Sequence, residues 1–450
     1  MKKRITRKNI AMLLSLILIM GTLAACGRSD SVTAVDDGPV ESAGSQAEGL
    51  VAEEGAEIEL AYWEGSTSDK AAWDAILAKL AKDHPEIKVT LQTYPSNEFR
   101  DVLDTRIAGN DWPDVIRYSY QRLGKFKAAD VMLDLTPYIK QESIDGLSEA
   151  YRSACSYDGK LIAMPHHTDT LAVFYNKKMF EEAGVRIPTS PEDGWTWDEM
   201  LDIARTLKKK YDLPYATAGI WEQGNGYRYL PFVYMNGGSL LSEDQKSATA
   251  TDEKTVEAIK LYETMRKEEL ISNTGFSSKT TANSLLVAEQ VAFTFSGSWH
   301  CSYMEENMPG NWGITYMPVV EGKTSSDIGG NALFGYAGTK YPKATAIVID
   351  YITNEENMRE FCEVGNFIPV RSNLLEEGLN FKQFSEPMKV LCEIVSTIDP
   401  KMAEDETSVP FQQINEIFNE EMDPIAIDGS VSAEEAAQRI QDRITEVLAE

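Results

Sequence analysis

The chain has 450 residues and a formal net charge of −28 at pH 7, from 71 Asp and Glu against 43 Lys and Arg. So acidic a surface repels nucleic acid and anionic lipid, and suits a neutral or cationic ligand better than a phosphate. The length exceeds what a single core usually serves, so two lobes are expected.

At the N-terminus, Lys2, Lys3, Arg4, Arg7 and Lys8 precede an apolar run from Ile10 to Met20, followed by Leu23-Ala-Ala-Cys26-Gly27. Positive, apolar, then small-residue is the order of a secretory signal. The run falls short of the roughly 20 residues needed to span a bilayer. The Leu23–Cys26 stretch resembles the lipobox of bacterial lipoproteins. That resemblance implies a signal peptide over 1–25, cleavage before Cys26 and acylation of its thiol. The acyl methylenes would then hold the chain to a membrane at about 0.8 kcal/mol each. Residues 26–56 are rich in Ser, Gly, Ala, Asp and Glu and lack apolar periodicity, so they read as a flexible acidic tether.

The body opens with Glu57–Trp63, which reads as a strand. Ala72, Trp73, Ile76, Leu77 and Leu80 recur at helical spacing between Lys70 and His84, where Pro85 ends the helix. Ile87–Leu91 is a second strand, Asn97–Ala108 a second helix and Asp114–Tyr118 a third strand. This alternation predicts a mostly parallel sheet with helices on both faces and ligand beyond the carboxyl ends of its strands. Further strands are predicted at Leu171–Tyr175 and Val291–Phe295. Further helices are predicted at Thr196–Tyr211, Asp252–Glu269, Lys343–Ile352 and Ser432–Leu448.

Cys155, Cys301, Cys362 and Cys392 form no C-x-x-C pair and lack metal spacing. One bridge or four buried thiols both remain open. His166, His167 and His300 stand near candidate binding positions, but adjacent histidines usually point apart, so no metal or other cofactor is expected. No G-x-S-x-G, H-E-x-x-H or P-loop occurs, so the chain does not read as an enzyme. A surface glycosidase with two carboxylates is the catalytic alternative.

Several stretches together resemble the extracellular solute-binding proteins of carbohydrate ABC importers, family 1, the maltose- and multi-sugar-binding type. They are Tyr62-Trp-Glu-Gly65, Trp112-Pro-Asp-Val115, Leu133-Asp-Leu-Thr-Pro-Tyr138 and, most specific, Tyr157-Asp-Gly-Lys-Leu-Ile-Ala-Met-Pro165. Tyr175-Asn-Lys-Lys178, Phe180-Glu-Glu-Ala-Gly184, Trp197-Asp-Glu199, Asn236-Gly-Gly238, Gly297-Ser-Trp299 and Gly329-Gly330 follow in family order. The resemblance runs from about Ile58 to the C-terminus.

The resemblance implies a two-lobed α/β fold of the periplasmic-binding-protein type, with hinge crossings between two mixed sheets. Lobe one would take 57–166 and 316–352, and lobe two 168–314 and 353–450. The chain would be a monomer that captures a sugar or oligosaccharide and delivers it to separate ABC permease subunits. It would sit on the outer face of the membrane of a Gram-positive-type cell. Positions carried over as ligand contacts are Glu64, Tyr118, Asp169, Tyr227, Trp299 as the stacking ring, Gly330, Asn331 and Arg371. Trp221 adds a further loop aromatic, and Gln121 and Arg122 are polar positions of the same kind. Hydroxyls need paired carboxylates and amides, and sugar C–H faces need aromatic rings. Against this, Trp221 and Tyr227 also suit lobe packing, and Arg371 a surface ion pair. Another solute, such as a polyamine or peptide, would suit the same acidic and aromatic inventory.

Overall fold

The computed structural model describes residues 49–449, apart from 66, 96, 97, 220, 222, 223, 277, 279 and 280 and the side chain of Glu64. Residues 1–25, read as a signal segment, and Cys26 lie outside the described residues, as does any contact of the Glu64 carboxylate.

Nine strands form two mixed sheets. They are β1 (Glu57–Glu64), β2 (Lys88–Pro95), β3 (Val115–Ser119), β4 (Met164–His167), β5 (Leu171–Asn176), β6 (Thr217–Gly219), β7 (Phe293–Gly297), β8 (Trp312–Thr315) and β9 (Asn331–Gly335). The first sheet has the order β2-β1-β3-β9-β4, with β1 parallel to β2 and β3, and β9 antiparallel to β3 and β4. The second has the order β8-β5-β7-β6, antiparallel except between β6 and β7. This is a two-lobed α/β fold. The chain passes from the first sheet to the second over Thr168–Thr170 and returns between Thr315 and Asn331.

The helices that matter here are α1 (Thr67–Asp83), α2 (Phe99–Ala108), α3 (Trp197–Tyr211), α4 (Glu253–Lys267), α5 (Pro342–Thr353), α6 (Glu355–Gly365), α7 (Ser385–Val395), α8 (Pro400–Glu406), α9 (Phe411–Ile427) and α10 (Ala433–Leu448). Helix α1 forms because Ala72, Trp73, Ile76 and Leu80 share one buried face. Helix α3 starts at a capping box: the Thr196 hydroxyl accepts from Glu199 N, and the Glu199 carboxylate accepts from Thr196 N. Strand β3 is buried over Val115–Tyr118 because it lies mid-sheet with both faces covered.

Expected elements reappear within a few residues of their predicted ends, with three differences. Strands β4, β6, β8 and β9 are not foreseen, because such short runs carry no decisive period. Asn331 therefore opens a strand, where a contact loop is expected. The stretch read as a tether to residue 56 ends earlier. The Glu53 carboxylate accepts from Lys343 N and Ala344 N, both at 3.0 Å, so it caps α5, and Ala56 is buried. Helix α6, placed beyond the last crossing from sequence, packs on α1. Lys79 Nζ donates to Asn357 Oδ1 at 2.8 Å, and Phe361 meets Trp73 edge-on at 5.3 Å. All four body cysteines are free thiols.

Candidate functional site

A cavity of about 400 Å³ opens where the ends of the two sheets meet. The first sheet contributes Trp63 from β1, Arg117 and Ser119 from β3, His167 from β4 and Asn331 from β9. The turn after β7 contributes Ser298 and Trp299, and the turn around 226–229 contributes Tyr227 and Arg228. Asp169, Gly329 and Gly330 come from the crossings between sheets, and Phe367 and Phe384 from the C-terminal region.

Trp299 is 37 % exposed, while most large apolar side chains of the chain are buried. Gly297 makes its position possible, because a Cβ there would stand 2.1 Å from the Trp299 ring. One face of the indole carries the Arg228 guanidinium, whose carbon lies 4.3 Å from the ring centroid. Arg228 also donates from Nη1 to Asp327 Oδ2 at 2.8 Å and stands over the Tyr227 ring at 5.1 Å. Behind Trp299, His300 Nδ1 accepts from Asn283 Nδ2 at 2.8 Å and from Ser296 Oγ at 3.0 Å. Burial, with Arg228 nearby, pushes the His300 pKa down to about 4, so the ring stays a neutral acceptor.

Asp169 Oδ1 accepts from Ser298 Oγ at 2.6 Å, which ties the first crossing to the turn after β7. Burial raises its pKa, opposed by the Ser298 hydroxyl and Arg228. On the first-sheet side, Arg117 is buried among aromatic rings, 5.6 Å from Trp73 and 5.7 Å from Trp63 and Phe367. Its Nη2 donates to His167 Nε2 at 2.6 Å, and its Nη1 stands 3.4 Å from Asp69 Oδ2. Asn331 Nδ2 donates to the same His167 nitrogen at 3.0 Å. With two donors on Nε2, the His167 proton belongs on Nδ1, which faces Thr168 O at 3.4 Å. Burial and Arg117 hold the His167 pKa well below its usual range. The other end of the Asn331 amide, Oδ1, is buried without a hydrogen-bond partner among the described residues. That free acceptor suits a ligand hydroxyl.

Gln121 closes another wall. Its Nε2 donates to Ile328 O at 2.5 Å and to Glu406 Oε2 at 3.0 Å. Burial pushes the Glu406 carboxyl well above its usual range, and pushes Asp327 up to about 6 against the pull of Arg228. Thus the cavity holds two guanidiniums, each beside its own carboxylate, and a row of neutral polar groups.

Six of the positions singled out from sequence line this cavity: Gln121, Asp169, Tyr227, Trp299, Gly330 and Asn331. Gly330 serves the backbone, since its φ is +82° and a Cβ would meet His167 O at 2.3 Å. Three others are buried outside it. Tyr118 is buried in a ring cluster with Trp63, Phe99 and Phe126, because its strand is covered on both faces. Trp221 is 2 % exposed and packs on Tyr229, Tyr262 and Phe295, as the lobe-packing alternative expects. Arg371 is buried rather than a surface ion pair, and its Nη2 and Nε donate to Thr353 O at 2.9 and 3.2 Å. Arg117, Arg228, Asp69 and Phe367 are lining residues that sequence reasoning missed. Arg117 had a signal: a charge inside the apolar run Val-Ile-Arg-Tyr has to find buried partners.

Residues 64–359 match the family model described as bacterial extracellular solute-binding protein. A multiple sugar-binding protein of Streptococcus mutans is 26% identical over 321 residues, covering 66% of this chain and 72% of that protein. Among solved structures, a cyclic α-maltosyl-1,6-maltose binding protein from Arthrobacter globiformis superposes with a TM-score of 0.74 at 16% identity, over 87% of this chain and 98% of that one. The GacH receptor of Streptomyces glaucescens, studied unliganded and with acarbose, gives a TM-score of 0.70 at 22% identity, over 88% of this chain and 100% of that one.

Two outcomes follow from these surroundings. Trp221→Ala is expected to lower stability by about 3–5 kcal/mol, and Trp299→Ala by about 1 kcal/mol or less, in denaturant melts. Equal losses would refute the contrast between a core ring and a cavity ring. Glu406 has a raised folded pKa, so the native state holds its proton more tightly than the unfolded chain. Its contribution is full below the unfolded carboxyl value, about 4.3, and is lost as pH rises through the folded value. Glu406→Gln cannot ionise, so its melting temperature relative to wild type should rise from pH 5 to pH 8. A difference that is flat or falls over that range would contradict a buried neutral carboxyl.

Proposed function

Because this chain belongs to the family of bacterial extracellular solute-binding proteins, we propose that it is the lipid-anchored subunit that captures a sugar or oligosaccharide for an ABC importer. Family membership gives it a binding role, not a catalytic one. The observation that carries the sugar reading is the partly exposed Trp299 indole set in a cavity lined by further aromatic rings, neutral hydrogen-bonding groups, Asp169 and paired charges. An indole face covers the C–H patch of a pyranose, while Asp169, Asn331 and Ser119 reach its hydroxyls. The names of its relatives, which include multiple sugar-binding and maltosyl-maltose-binding proteins, support the same reading. A polyamine is less well served, since Asp69 and Asp327 already face Arg117 and Arg228.

In this reading one lobe is built on the five-stranded sheet, with α6 packed on it, and the other on the four-stranded sheet. The lobes hinge at 168–170 and 316–330 and close over ligand. The closed form then docks on permease subunits supplied by other chains. Residues 1–25 direct export, lipid on Cys26 holds the protein at the outer membrane face, and the tether leaves the lobes free to close.

Melting temperature measured across a panel of mono- and oligosaccharides tests the sugar reading, because a ligand at about 100 times its Kd stabilises the native state by about 2.7 kcal/mol. At least one sugar should raise it by several degrees, and Trp299→Ala should weaken that sugar about tenfold. Shifts from spermidine but from no sugar would overturn the proposal. For the anchor, Cys26→Ser expressed in a Gram-positive host should appear in the medium, whereas wild type stays with the membrane fraction. A variant that remains membrane-bound would refute acylation at Cys26.

A further inference from the structure

The main cavity does not end at the wall formed by Gln121 and Tyr227. A second cavity of about 210 Å³ shares Ser119, Gln121 and Tyr227 with it and continues away from Trp299. Its volume is about half that of the first, room for a smaller piece of the same ligand. Its charge differs in kind. In the main cavity each guanidinium faces a carboxylate. Among the described residues the second cavity is lined by Arg100 and Arg122, with Glu416 the one carboxylate. Arg100 spends part of its charge on exposed Asp101, at 3.2 Å. Arg122, which closes the turn Tyr120–Arg122 directly after β3, has no ion pair among the described residues.

In a chain of net charge −28, a partly buried cation that makes no ion pair among the described residues, beside a polar cavity, is open to an anionic ligand group. A guanidinium fork matches a carboxylate through two parallel N–H···O bonds. The overall negative field does not forbid this, because screening over about 8–10 Å leaves the nearest charges to decide.

We propose that the second cavity is a distal subsite whose Arg122, assisted by Arg100, binds the carboxylate of a uronic acid residue, so that the ligand is an acidic oligosaccharide whose neutral rings occupy the Trp299 cavity. The proposal rests on the sugar-binding reading above. It deepens that reading by naming ligand length and charge.

The test is isothermal titration of the full chain with xylo-, cello- and maltotriose, and with the same trimers ending in a glucuronic acid. At least one acidic trimer should bind about tenfold tighter than its neutral partner, the size of one charge-assisted contact. That preference should shrink as salt is raised from 20 to about 500 mM. Arg122→Gln should bring the acidic-to-neutral ratio to about one, and Arg122→Lys should keep part of it. Equal binding of acidic and neutral trimers by wild type overturns the subsite and leaves the sugar reading standing. A preference that survives in Arg122→Gln also overturns it. Binding of none of the six overturns the subsite, and the broader sugar panel then decides the reading beneath it.

Discussion

The cleft depends on two backbone segments passing in direct contact at its floor. Residues 167–169 leave the first sheet for the second, and residues 328–330 return. Gly330 sits at φ +82° with no room for a Cβ against His167 O, and a Cβ on Gly329 would meet Asp169 O at 2.7 Å. Thr168 fastens the crossing: its hydroxyl faces Gly329 O at 3.1 Å and its N–H donates to Ile368 O at 2.8 Å. Only paired glycines permit so close an approach. Because the crossings touch, the ends of both sheets face one space, and Asp169 lies within reach of Ser298 and Trp299.

Charge in that space is organised by two buried arginines. Each is held by rings as well as by a carboxylate, so neither rotates freely toward solvent. Arg117 stands among Tyr62, Trp63, Trp73, Phe361 and Phe367, and Arg228 lies on Trp299 and Tyr227. The acids nearby respond to burial: Asp327 and Glu406 are shifted toward their neutral forms, which limits the repulsion that several ionised carboxylates would create. The acidity of the whole chain therefore says little about the sign of charge met by ligand at a particular wall.

Much of the fold was legible. The alternating elements over 57–119 carry clear periods of two and 3.6, and they appear as β1, α1, β2, α2 and β3. The Gly297-Ser-Trp motif, the glycine pair and Asp169 also point to positions that do line the cavity. Tyr118 and Trp221, carried over as contacts with packing as the alternative for Trp221, both lie in ring clusters, and for one reason. An aromatic at a strand end has the same local sequence whether it turns into the cavity or back into a core, and the helices laid over it decide. Arg117 and Arg228 escaped notice because their partners, Asp69 and Asp327, lie 48 and 99 positions away.

The sequence by itself determined the α/β class and the family, because both are written in short-range order: an apolar period and a run of motifs. Tertiary structure alone decided which aromatic rings remain open, which cations are neutralised and where the cavity continues. Those properties arise from contacts between distant segments, and the burial that fixes them exists only once the two sheets have been brought end to end.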